Sequence, residues 1–315
     1  MSEALEARLH GVDLFGEPAT PTAGSILAER FGVPPFSVIS AREGDWQNRK
    51  RAWLGLGIES EVGRDDELLH SGSVIDTAVE TWEGGRAAWQ NTGASVFDPA
   101  LCELLYTWFC PERGQVVDPF AGGSVRGIVA TLMGYKYWGS ELRPEQVRAN
   151  AEQANTICPE ARPFWRCGDA VEVLPEAPPA DFIFSCPPYG DLEVYSDDPK
   201  DLSTMDYPDF MAAMFRIIQG CYAKLKPNRF ACFVVGEFRD KAGNYRNFVG
   251  DTVSAFQAAG FHFYNEAILV TSVGSLPVRA GRQFDGGRKL GKTHQNILVF
   301  VKGDGKAASK AITNL

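Results

Sequence analysis

With 315 residues, 44% of them hydrophobic and 23% charged, the chain is long enough for one large domain or for a domain with an appendage. No apolar stretch reaches the roughly 18 residues of a membrane span, and Met1-Ser2-Glu3-Ala4-Leu5-Glu6 lacks the features of a signal peptide, so a soluble, cytoplasmic protein with no membrane partner is expected. A net charge of −9 excludes a uniformly basic nucleic-acid coat but allows a local basic face, and seven cysteines without CxxC or Cys/His spacing suggest neither a disulfide frame nor a metal site.

Residues 1–90 show no strand–helix rhythm. They carry Pro34-Pro35, Gly44 and a charged, tryptophan-bearing stretch over 45–53, and read as an N-terminal extension of unknown role. The domain is expected over 91–304, and from about 115 onward apolar runs alternate with amphipathic segments, the pattern of βαβ units and a mostly parallel sheet. A first strand is expected over 115–118, followed by a Gly-rich turn and a helix over 124–133. A second strand over 137–141 leads to a helix with Pro144 in its first turn, running to 155. Strands follow at 164–167 and 181–185, then a helix over 207–225, a strand over 230–236 and a helix over 248–259. Two last strands, 261–270 and 296–301, complete seven, and 305–315 is left as a tail. The fold class is α/β, with a Rossmann-like, doubly wound sheet.

The chemistry-bearing residues fall at strand ends. Asp118-Pro119-Phe120-Ala121-Gly122-Gly123-Ser124 forms a strand-to-helix turn, where glycines let the backbone approach a ligand beyond the carboxyl edge of the sheet. Such a turn taken alone is explained by local geometry. Glu141 ends the second strand 23 positions after Asp118, close to the roughly 20-residue offset at which a carboxylate meets ribose hydroxyls in such folds. Asp169, in Cys167-Gly168-Asp169-Ala170, follows the third strand and can accept from an adenine amino group. Each carboxylate alone reads as a loop residue or a helix cap; together they outline a nucleoside pocket. On the fourth strand, Cys186-Pro187-Pro188-Tyr189 sets rigid carbonyls and an aromatic face at the mouth of the sheet, which suits a flat substrate such as a nucleobase.

These motifs resemble those of the DNA amino-methyltransferases, which use S-adenosylmethionine to methylate N4 of cytosine or N6 of adenine. The segment 118–124 looks like their DPFxGxG cofactor motif, and Cys186-Pro187-Pro188-Tyr189 looks like their (D/N/S)PP(Y/F/W) catalytic motif. Phe97-Asp98-Pro99 is similar to the segment that covers the methionine part of the cofactor. The likeness covers about 93–303, in a gamma-like order with the cofactor motif first, and the extension followed by this domain also looks like phage-encoded members. It implies a methyltransferase sheet whose last strand is antiparallel and S-adenosylmethionine as cofactor, without a metal. The implied cofactor residues are Phe97, Asp98, Asp118, Pro119, Phe120, Ala121, Gly122, Gly123, Ser124, Glu141 and Asp169; the implied catalytic residues are Cys186, Pro187, Pro188 and Tyr189.

The exocyclic amine of a base is a poor nucleophile because its lone pair is delocalised into the ring. The Pro187 carbonyl and the side chain at position 186 would accept its N–H groups, while Tyr189 would stack on the extruded base. In-line positioning of the methyl group then suffices, with no covalent intermediate. Cys186 departs from the Asp, Asn or Ser of the motif; shaped like Ser and carrying no carboxylate, it leans the target toward N4 of cytosine, with N6 of adenine the alternative. Methylation of RNA or of a glutamine amide, and a catalytically silent cofactor- or DNA-binding role, stay open on the same residues. A nucleophilic thiol of the C5-cytosine type would follow a proline, whereas Cys186 precedes two.

Double-stranded DNA is the expected partner. The segment 271–294 carries Arg279, Arg282, Arg288, Lys289 and Lys292 against the single acidic Asp285, with five glycines for mobility, and reads as a DNA-contact loop. Asn48-Arg49-Lys50-Arg51 is a second basic candidate, equally explained as one face of a helix packed by Trp46 and Trp53. Residues 190–195 could close over the base. Nothing in the sequence sets the oligomeric state.

Overall fold

The computed structural model describes residues 26–59, 97–190, 196–274 and 276–313. Along the chain run α1 (Ile26–Phe31), β1 (Val38–Ser40), α2 (Gly44–Leu54), α3 (Pro99–Phe109), β2 (Gln115–Asp118), α4 (Val125–Leu132), β3 (Lys136–Glu141), α5 (Pro144–Ile157) and β4 (Phe164–Cys167). There follow α6 (Ala170–Val173), β5 (Ala180–Ser185), α7 (Tyr207–Lys224), β6 (Leu225–Val235), α8 (Phe248–Ala258), β7 (His262–Val270), α9 (Leu276–Gly287), β8 (His294–Lys302) and α10 (Gly305–Lys310).

The central strands are continuous apolar runs because both of their faces are covered. With a side-chain period of two, Phe182, Phe184, Phe230, Cys232 and Val234 face a core shared with α3 and α4, while Ile183, Ala231, Phe233 and Val235 face one shared with α7 and α8. The strand order is β1-β7-β8-β6-β5-β2-β3-β4, and every pairing is parallel except those of β8, which runs antiparallel to both β6 and β7. After β2 the chain builds outward through β3 and β4, then returns to the other side of β2 with β5. The carboxyl ends of β2 and β5 therefore flank a topological switch point, where α/β sheets open a crevice. This is the Rossmann-like, doubly wound architecture expected from the sequence.

The seven expected strands become eight. The additional one, β1, comes from the N-terminal extension and pairs in parallel with β7, Val38 opposite Ile268 and Ser40 opposite Val270. Flanking bonds from Ile268 N to Ser37 O (2.7 Å) and from Ala41 N to Val270 O (2.9 Å) continue the ladder. Without β1, β7 would be an edge strand with unpaired backbone groups. Three residues following Pro34-Pro35 are too short to show a period, which is why the strand was invisible in the sequence. The expected tail is likewise partly structured: Asp304 caps α10, its carboxylate accepting from Ala307 N at 2.7 Å, and Ala308 is buried.

The same extension lays α2 against α3. Trp46 and Trp53 are buried, Trp53 Nε1 donates to Glu103 Oε2 at 2.8 Å, and Arg49 pairs with Glu103 Oε1 at 2.5 Å. Arg51 donates to Asn48 Oδ1 within the helix. Much of the 48–51 basic tract is thus occupied by helix packing. Residues 1–25 and 60–96, which include the expected boundary near 90, lie outside the described residues. Among those that are described, no helix is long and apolar enough to cross a membrane.

Truncating Trp53 to Ala removes a fully buried ring and the indole donor to Glu103 Oε2, leaving Glu103 with Arg49. The expected loss is about 3–5 kcal/mol of unfolding free energy, read as a lowered urea midpoint; a variant with wild-type stability would show that the extension does not share the fold's cooperativity.

Candidate active site

The turn after β2 is built by a buried carboxylate. Asp118, fully shielded from solvent, accepts from Arg126 Nε (2.6 Å), Tyr137 OH (2.7 Å), Ser185 Oγ (2.5 Å) and Phe120 N (3.1 Å). Arg126 also donates to the carbonyls of Phe120 and Ala121, and its guanidinium lies 4.6 Å from the centre of the Phe97 ring. Burial opposes the charge on Arg126, but Asp118 and its neighbours more than offset this, and the arginine's pKa is raised. Burial, reinforced by Asp118, pushes the Tyr137 hydroxyl well above its ordinary value, so it stays a donor.

Above this network opens a cavity of about 350 Å³. It brings together Phe97, Asp98, Pro119, Phe120, Ala121, Gly122, Gly123, Glu141, Asp169, Cys186, Pro187, Pro188 and Tyr189. Two expected cofactor residues do not line it. Asp118 lies beneath the floor with its oxygens committed as above, and Ser124 is buried at the start of α4 with its hydroxyl donating to Gln153 Oε1 at 3.0 Å. Their strand-end and turn positions point toward the ligand side, but the side chains turn into the protein to hold the turn's shape.

Gly122 has φ of +52°, and a Cβ built there meets nothing within 4 Å, so the turn presents open space toward the cavity. Its amide donates to Glu141 Oε2 at 3.0 Å, while Arg143 N donates to Glu141 Oε1 at 3.0 Å. Burial pushes the Glu141 carboxyl above its ordinary value, against the pull of these amides and of the Arg143 guanidinium 3.6 Å away. Gly168, φ +145°, donates its N–H to Glu141 O at 2.9 Å and so brings Asp169 alongside. Asp169 caps α6, its Oδ1 accepting from Val171 N at 2.9 Å. Glu141 and Asp169 thus end neighbouring strands at one side of the turn.

Across the switch point, strand alternation turns Ser185 down to Asp118 and Cys186 up into the cavity. The Cys186 sulfur is 3.7 Å from Tyr189 OH, which accepts from Gln295 Nε2 at 2.8 Å. The Tyr189 ring meets Phe248 edge-on, with centroids 6.3 Å apart. Five of the seven cysteines are buried; Cys167 and Cys186 are half-buried.

Thr271 and Ser272 at the start of the 271–294 segment line the cavity, but Arg282, Arg288, Lys289 and Lys292 do not. Where a glycine-rich loop was expected over 271–294, α9 occupies 276–287, its Gly281 and Gly286 tolerated although each costs about 1 kcal/mol relative to Ala in a helix. Arg282 and Arg288 are exposed, Arg288 over the Phe284 ring, and Lys289 beside them is half-buried. The Arg279 side chain lies outside the described residues, as do 191–195 of the expected closing loop. Lys292 is half-buried, donating to Glu237 O at 3.2 Å, and a Cβ at Gly236 would lie 2.9 Å from its Nζ and 3.8 Å from Tyr189 Cζ. Burial pulls the Lys292 ammonium down to about 8, with Glu237 opposing.

Several lining residues were not anticipated. Gln47 and Lys50 come from α2, Arg143 from the turn after β3, Lys200 from the segment before α7 and Gln295 from the first residues of β8. Because β8 is antiparallel, as the resemblance implied, its beginning lies at the carboxyl edge of the parallel strands; the strand expected from 296 starts two residues late and so leaves out Gln295.

No protein-family model and no curated relative matches the sequence. Among solved structures, the chain is similar to TrmN from Thermus thermophilus, with 14% identity and TM-score 0.45 over 65% of this chain and 49% of that one. It is also similar to a candidate DNA modification methylase from the same organism, at 21% identity and TM-score 0.33 over 44% and 51%. A third is magnesium protoporphyrin IX methyltransferase from Synechocystis PCC 6803 with bound SAM, at 12% identity and TM-score 0.38 over 61% and 71%. The chain thus spans about half the length of the first two. What it does has to be read from the cavity.

Replacing Asp118 by Asn leaves Arg126 as a buried, unneutralised charge. A loss of about 3–5 kcal/mol in unfolding free energy is expected, measured by denaturant titration; wild-type stability would mean that the turn does not depend on the pair. Lys292 has a folded-state pKa near 8 against an ordinary 10.5, so between these values the unfolded chain binds more protons and the lysine's contribution to stability rises with pH. Urea midpoints of the wild type relative to Lys292→Met should therefore climb from pH 8 to pH 10.5; parallel profiles would contradict the buried placement.

Proposed function

We propose that the chain is an S-adenosylmethionine-dependent methyltransferase acting on the exocyclic amine of a base flipped out of double-stranded DNA, with N4 of cytosine favoured over N6 of adenine. The observation that carries this reading is a single cavity, across the switch point, shared by a nucleoside-type half and a base-gripping half. Open space over Gly122 fits a ligand lying on the turn. Each carboxylate of Glu141 and Asp169 keeps acceptor capacity beyond the backbone amides it holds, suited to a ribose diol and an adenine amine.

When bound, S-adenosylmethionine supplies a methyl group on a sulfonium. The protein's own part is to hold the acceptor. Tyr189, its hydroxyl fixed by Gln295 and its ring braced by Phe248, offers a face for stacking. The carbonyl of Pro187, set in a rigid Pro-Pro turn, accepts one amine N–H and directs the nitrogen lone pair at the methyl carbon. With the amine held in this way, methyl transfer would replace the C–S bond by an N–C bond, the electron pair staying on sulfur and one amine proton passing to water. Cys186 offers a weak acceptor and no carboxylate, which favours cytosine as the target.

Support for a DNA partner comes from α9. It connects β7 and β8 beside the cavity, whose wall includes Thr271, Ser272 and Gln295. Arg282 and Arg288 are exposed there together with the apolar Val278, Phe284 and Leu290, a combination suited to phosphate contact and groove packing. Arg279, Lys289 and Lys292 add basic residues to the same segment.

Labelled-methyl transfer should be measured on duplex DNA, RNA and protein, and labelled DNA digested to nucleosides. N4-methylcytosine is expected; label in RNA or protein alone overturns the DNA reading, and N6-methyladenine corrects the base. Tyr189→Ala should cut transfer roughly 5- to 150-fold, the equivalent of about 1–3 kcal/mol for one stacked base, with cofactor affinity retained.

A further inference from the structure

The N-terminal extension supplies part of the cavity wall. Ala41, Gln47 and Lys50 line it next to Phe97 and Asp98. Lys50 Nζ lies 3.6 Å from Asp98 Oδ2, an ion pair too long for a hydrogen bond, and the two side chains are 30% and 14% exposed. Asp98 is held firmly: Oδ1 accepts from Ala100 N and Oδ2 from Trp46 Nε1, each at 3.0 Å, leaving further lone pairs on both oxygens. Two of the other cations on the wall are engaged with protein partners: Arg126 serves Asp118 and two carbonyls, and Lys200 donates to Glu172 at 2.6 Å. Arg143 donates from Nη2 to Gln146 at 2.9 Å while its buried Nη1 has no hydrogen-bond partner, but its guanidinium lies 3.6 Å from Glu141, on the nucleoside side of the turn.

A lysine and an aspartate that face one cavity as close neighbours, each with capacity to spare, match a ligand carrying an anion and a cation on a single carbon. The amino-acid head of S-adenosylmethionine is such a group. Its nucleoside end belongs with Glu141 and Asp169, and its sulfonium must face Pro187 and Tyr189. The remaining side of the Gly-rich turn is the one where Phe97 packs edge-on to Phe184 of β5, with Asp98 and Lys50 next to it.

We infer that Lys50 and Asp98 clamp the zwitterionic head of the cofactor, Lys50 taking its carboxylate and Asp98 its ammonium. This rests on the methyltransferase reading and gives the extension a role in that site: β1 anchors the segment to the sheet, Trp46 ties α2 to Asp98, and Lys50 is delivered one helical turn later.

The test is calorimetric titration of the full chain with two ligands, S-adenosylhomocysteine, which carries the amino-acid head, and 5′-methylthioadenosine, which lacks it. Lys50→Met should weaken S-adenosylhomocysteine roughly 10- to 100-fold, as expected for a charge-assisted hydrogen bond, and leave 5′-methylthioadenosine within about twofold. Lys50→Arg should restore most of the lost affinity. Unchanged S-adenosylhomocysteine binding by Lys50→Met overturns the clamp. Equal weakening of both ligands overturns it as well, since the lysine would then act only through the fold of α2. Wild-type protein that binds neither ligand overturns the methyltransferase reading itself, whereas tight wild-type binding with an indifferent Lys50→Met overturns the clamp alone.

Discussion

A single buried carboxylate holds the working end of this protein together. Asp118 sits at the end of β2 and takes hydrogen bonds from Arg126 on α4, Tyr137 on β3 and Ser185 on β5, so four elements converge on two oxygen atoms. Removing such a charge from water is expensive, and the cost is offset only because a guanidinium, two hydroxyls and a backbone amide meet it in good geometry. Arg126 extends the network upward by holding the carbonyls of Phe120 and Ala121 and by stacking under Phe97. The Gly-rich turn is therefore shaped from below, and its upper surface is left to a ligand.

The two halves of the cavity follow from this anchor and from strand alternation. Ser185 points down to Asp118, so the next residue, Cys186, must point up, and the two prolines then fix the path that carries Tyr189 over the opening. On the other side, β3 and β4 end one after the other, and the Gly168 amide bonded to Glu141 O sets their carboxylates as neighbours. The switch in winding between β2 and β5 separates these halves by the width of the turn.

The extension belongs to the same construction. Strand β1 covers the open edge of β7, and α2 buries two tryptophans whose indole N–H groups end on Asp98 and Glu103. Covering an exposed edge and satisfying buried donors are requirements of any stable sheet. Here Ala41, next to β1, and Gln47 and Lys50, on the same helix as the tryptophans, also close one wall of the cavity, which makes the extension part of the site.

The local alternation of apolar runs and amphipathic segments determined the seven strands over 115–301 and their helices, because a buried parallel strand and a covering helix leave unmistakable periods in a chain. It also determined which residues stand at strand ends, and Glu141, Asp169, Cys186 and Tyr189 all reach the cavity from such positions. Which way a side chain turns at the end of a strand is decided by partners distant in sequence. Asp118 and Ser124, in the most recognisable motif of the chain, turn inward because Arg126, Tyr137 and Gln153 receive them there. Lys50 and Gln295 reach the wall only because β1 docks on β7 and β8 runs antiparallel, pairings no local period encodes.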